Sequence, residues 1–99
     1  VQSQSGSVES QLISALSAEA PLARAGAAQV LGQARVQTAV LSLIEATTDK
    51  TAEVRVNAII ALGQIGTGQS RARLESLRTD DDATVAYYAE WALVQLGPS

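Results

Sequence analysis

The sequence predicts an all-α solenoid built from three helix pairs, and three observations predict it. The first is a repeat. Ala27, Ala58 and Ala89 recur at a 31-residue step, as do Leu31, Leu62 and Leu93. A fixed period in the range of about 20–50 residues marks an array whose units bury their apolar faces only against neighbouring units. The second is apolar spacing of three and four residues inside each unit, the pattern of amphipathic helices. The third is turn chemistry, with Pro, Gly, Thr and Asp placed where helices must begin and end. No strand-like alternation occurs anywhere in the chain.

Taken in order, residues 1–7 (Val-Gln-Ser-Gln-Ser-Gly-Ser) read as a flexible tail. A repeat domain follows over 8–99, with repeats at about 8–35, 36–66 and 67–97. The first helices carry Leu12, Ile13, Ala15 and Leu16, then Val40, Leu43, Ile44 and Ala46, then Leu74 and Leu77. The second helix of the middle pair carries Val54, Ala58, Ala61, Leu62 and Ile65, and Val85, Ala89, Ala92, Leu93 and Leu96 copy it. Thr51 and Asp82 occupy equivalent N-cap positions, where a side-chain oxygen can accept from an unpaired helix N–H. Pro21 falls at the first helical position, where its missing N–H costs nothing. Gly66 and Gly97 stand where a left-handed residue ends a helix.

Composition narrows the function. With 99 residues the chain is one domain, and three repeats is about the minimum for a stable stack. Hydrophobic residues make up 46% and charged residues 17%, which fits a folded chain. The absence of Cys excludes disulfides and a thiolate zinc site, and is compatible with any compartment. The absence of His removes the commonest general base and metal ligand. Net charge is −3 and no basic block exists, so nucleic acid is not an expected partner. No apolar run approaches the roughly 20 residues of a membrane helix, so no membrane contact is expected. The chain lacks an initiator Met and stops just after the repeat boundary at Gly97, which reads as a piece cut from a longer array.

Asp49 with Val54-Arg55, Ala58, Ala61-Leu62-Gly63 and Ile65-Gly66, together with Ala39-Val40 and Leu43-Ile44, resembles HEAT repeats of the short, phycobilisome-lyase type. The resemblance spans roughly residues 8–97 and implies a right-handed α-solenoid, an α–α superhelix, with first helices convex and second helices concave. It implies a structural ladder pairing Asp49 or Asp80 with Arg24 or Arg55. Departures are Ala86 for the third Arg, Ala18 for the first Asp, Val94 for Gly32 and Gly63, and Arg35 for the terminal Gly.

The aromatic residues Tyr87, Tyr88 and Trp91 lie within one helix and off its core stripe. On the implied concave face they join Gln95, the middle-repeat residues Asn57, Ile60 and Gln64, and Gln29 and Gln33 of the first. Tyr and Trp combine large area with a polar tip and are enriched at binding hot spots. The expected function is therefore a non-catalytic scaffold that binds a protein or peptide segment. The competing reading has the rings seal the array, against a fourth repeat or in a homodimer. An accessory subunit resembling bilin lyases and a self-associating structural spacer are also compatible with the sequence. Glu45, Glu75 and Glu90 are isolated, and no His or Lys stands to activate a Ser or Thr, so no enzyme is expected. Asp80-Asp81-Asp82 reads as a solvated turn, and no metal or cofactor is expected.

Overall fold

The computed structural model describes residues 4–98. Six α-helices alternate with short loops: α1 (Gln4–Ala15), α2 (Pro21–Gln33), α3 (Val40–Ala46), α4 (Ala52–Ile65), α5 (Arg71–Ser76) and α6 (Ala83–Leu96). Short 3₁₀ turns lead into α3 and flank α5. No strand occurs among the described residues. Helix α1 takes in residues 4–7 of the segment expected as a tail, and residues 1–3 lie outside the described residues.

The helices form two layers. The second helices α2, α4 and α6 pack side by side, with α4 in the middle, and each first helix packs on the second helix of its own pair. Leu31, Leu43, Val54, Ala58, Ala61, Leu62, Leu74, Val85, Ala89 and Ala92 are completely buried between the layers. Full burial of one such Leu or Val contributes about 1.5–3 kcal/mol before entropy. Leu93 and Leu96 are only partly covered, because no second helix follows α6 among the described residues. The core also takes in Ile59, which the single-helix stripe omits, since the next second helix packs on that side.

The helix ends follow the turn chemistry with three differences. Pro21 starts α2, and Asp82 caps α6 by accepting from the N–H groups of Thr84 and Val85. Thr51 occupies the N-cap of α4, but its side chain makes no cap bond. The Thr51 N–H donates to the Asp49 carboxylate at 2.9 Å, in an Asx turn that recurs as Asp82 N–H to Asp80 one repeat on. Gly66 ends α4 in the left-handed region, whereas Gly97 combines a φ of 79° with an extended ψ of −176°.

Arg35 is the third difference. Its φ of 52° puts a non-glycine residue in the left-handed region after α2. The Val36 N–H donates to Leu31 O and the Arg35 N–H to Gly32 O, so the helix closes in a Schellman motif. Its side chain is tied down as well, with Nε donating to Gln64 O of α4 at 3.0 Å. Arg35→Ala and Arg35→Gly both lose that bond, but only Gly relieves the backbone. Thermal denaturation is therefore expected to find the Gly variant more stable than the Ala variant by about 1 kcal/mol. Equal stabilities would contradict the strained backbone.

Candidate functional site

Two contacts recur at both joints between successive repeats. The first is a close approach of second helices. A Cβ built on Gly32 would lie 2.5 Å from Cα and 2.6 Å from Cβ of Ala61 on α4, and would run into Gln64 Oε1. The next joint repeats this one period on. A Cβ on Gly63 would lie 3.1 Å from Cα and Cβ of Ala92 and 2.6 Å from Trp91 Cζ3 on α6. Glycine is required at 32, where backbone of the neighbouring helix fills the space, while at 63 the approach is tighter than ordinary contact and its nearest atom belongs to the Trp91 side chain.

The second contact is the charged ladder. Arg24 Nε and Nη2 donate to Asp49 Oδ2 and Oδ1 at 2.7 and 3.0 Å, a two-pronged pair. Arg24 Nη1 also donates to the carbonyls of Ala18 and Glu19, both at 2.8 Å. The side chains are nearly covered, at 9% and 13% exposure. Burial pushes the Asp49 carboxyl up, but the Arg24 hydrogen bonds, the Thr51 N–H and the positive charges of Arg24 and Lys50 outweigh it. The group titrates below the usual carboxylate range. The second rung is looser. Arg55 Nη2 stands 3.6 Å from Asp80 Oδ2, Nη1 donates to Asp49 O at 2.7 Å, and Nε is buried without a partner.

These joints leave one face of the second-helix layer uncovered, opposite the first helices. Asn57, Ile60 and Gln64 on α4 are partly exposed there, beside Gln29 and Gln33 on α2 and Gln95 on α6, which are exposed. Asn57 Nδ2 is already used, donating to Glu53 O at 3.0 Å. Trp91 and Tyr88 are half-buried, with their rings edge-to-face at 6.4 Å. The Trp91 ring reaches across to Gly63, so the repeat boundary itself holds the indole. Tyr87 stands apart from this strip. It matches Val56, which packs against the core, but it lies on the open edge of α6 and is 66% exposed. Only its edge-to-face contact with Tyr88, at 5.1 Å, connects it to the other rings.

Nothing in this strip is arranged for catalysis: its polar groups are amides and phenols. A separate hollow opens beside Arg24 and Asp49, lined also by Leu16, Ser42, Glu45 and Lys50. Its two deepest charges are occupied by each other. No cluster of metal-ligating side chains occurs among the described residues, and no helix there is long and apolar enough to cross a membrane.

Sequence reasoning missed the role of Arg35 as a bridge to Gln64, and the role of Thr47. Thr47 is fully buried and its Oγ1 accepts from Arg73 Nε at 2.9 Å, which ties α5 to the end of α3. A family profile described as HEAT repeats matches residues 9–94. No curated protein matches the chain.

Proposed function

The chain belongs to the HEAT-repeat family, and we propose on that footing that it is a non-catalytic interaction module that binds a protein segment along its second-helix layer. HEAT repeats generally mediate protein–protein interaction or scaffolding, and the family is typically non-catalytic. The observation that carries the proposal is the uncharged strip from Gln29 to Trp91, open on the layer where the helices are drawn tightest. A stack held close through its second helices, with first helices that touch one another sparingly, bends toward the close layer. The strip is then concave, the shape such arrays use for extended ligands.

Trp91 would supply the anchor. An indole already held against Gly63 and Tyr88 loses little rotamer freedom on binding. Ile60 adds apolar area beside it. The side-chain amides of Gln64 and Gln95 each offer donors and an acceptor to the backbone of an extended segment. No feature of the geometry singles out a bilin-lyase role or a spacer role.

The test begins with a partner captured by the wild type and identified. Its affinity is then measured for wild type, Tyr88→Ala/Trp91→Ala and Gln95→Lys, with far-UV circular dichroism confirming the fold of each. The double variant is expected to bind about 30-fold more weakly or worse, the cost of losing a hot spot. Gln95→Lys reports on the same face without touching the core. Unchanged affinity in both variants would rule the strip out.

A further inference from the structure

The residues that join repeats one, two and three are altered at the two outer edges of the described stack. Ala86 on α6 stands at the position of Arg24 and Arg55, so the last pair has no cation to offer a following Asp. Val94 stands at the position of Gly32 and Gly63. A Cβ at Gly32 would collide with the backbone of Ala61 and one at Gly63 would crowd Ala92 and the Trp91 ring, whereas Val94 is 72% exposed. Glu90 stands at the position of Ala28 and Ile59, both completely buried, and its carboxylate is held at the surface by Arg78 at 2.7 Å. The opposite edge carries the complementary changes. Ala18 replaces the Asp that accepts the ladder at 49 and 80. Val30 is an exposed residue at the position of Ala61 and Ala92, which are fully buried against the glycines of the preceding helix.

We infer that both outer edges of the described stack are closed to the joint that holds its repeats together, so that a second copy of the chain cannot add to either edge by the same contact. Each edge fails on two separate grounds. A β-branched side chain occupies space that the joint needs empty, and one partner of the ladder is missing. On α6 a third change would bury the Glu90 carboxylate and break its pair with Arg78, at the cost of desolvating a charge. The internal joints serve as the control, since the same positions within one chain carry Gly, Ala, Arg and Asp. A head-to-tail contact of this kind does not close on itself and would propagate into a fibre. Edge residues of this type keep copies of the chain from adding to one another.

The test reinstates the joint on one edge at a time in the full chain. One variant carries Ala86→Arg, Glu90→Ala and Val94→Gly. The other carries Ala18→Asp and Val30→Ala. All five changes at once give a third protein. Circular dichroism and Trp91 fluorescence verify the fold, and sedimentation velocity over a wide concentration range gives the mass. Wild type and each single-edge variant alone are expected to show no head-to-tail growth. An equimolar mixture of the two single-edge variants is expected to form a one-to-one dimer and stop there, because the outer edges of that dimer keep their native residues. The five-fold variant is expected to grow without limit. A mixture of folded variants that stays monomeric would overturn the inference, as would open-ended growth of the wild type.

Discussion

Replacing Gly32 by Ala is expected to destabilise the protein by about 3 kcal/mol, toward the upper end of what overpacking a tight interior costs. The added methyl would meet the backbone and Cβ of Ala61, neither of which can rotate away. Helices α2 and α4 must then separate along their whole contact. Gly26 provides the control on the same helix, since a Cβ there meets nothing within 4 Å. Gly26→Ala is expected to stabilise by about 0.5–1 kcal/mol through helix propensity alone. Urea denaturation followed by circular dichroism measures both. Opposite signs from one chemical change, at two glycines of one helix, would establish close approach as the cause. A Gly32→Ala protein as stable as the wild type would refute the contact.

Asp49→Ala is expected to cost about 3 kcal/mol, because it strands a nearly buried guanidinium. The loss is limited by the two carbonyls that Arg24 also reaches. Asp80→Ala is expected to cost less, since Arg55 stands 3.6 Å from its carboxylate and makes no two-pronged pair. Acid denaturation gives the second readout. The Asp49 pKa is lowered by folding, so over that interval the unfolded chain binds the extra proton and stability rises with pH. The contribution is complete above the ordinary value near 4 and disappears as pH falls through the lowered folded value. Asp49→Asn should therefore start less stable and lose less over that window than the wild type. Parallel acid limbs for the two proteins would exclude Asp49 as the titrating group.

Helix positions and the buried residues of each stripe were legible because a 31-residue period shows the same pattern in every copy. The ladder positions were legible through the resemblance to a known repeat. What escaped depends on neighbours. Ile59, like Ala28 one repeat earlier, is buried on the side where the next second helix packs, an arc that the stripe of one helix does not reveal. Trp91 lies off its own stripe, yet its ring is half-covered by Gly63 of the preceding repeat, a contact visible only once the helices are placed. Thr51 reads as a cap, yet its hydroxyl accepts from no helix N–H, whereas Asp82 at the same position of the next repeat caps α6 even though Asp80 takes its N–H just as Asp49 takes that of Thr51. Arg35 breaks the glycine rule for a helix end, and its compensating bond to Gln64 crosses between repeats.

The unequal rungs of the ladder grade the molecule mechanically. Pairs one and two are joined by the two-pronged Arg24–Asp49 pair and by Arg35 reaching Gln64 O, while pairs two and three share the longer Arg55–Asp80 pairing, the Arg73–Thr47 hydrogen bond and an indole laid over a glycine. The second seam therefore carries the weaker rung, and the indole lies beside it, so a ligand gripping Trp91 would bear directly on the joint with the longer ion pair.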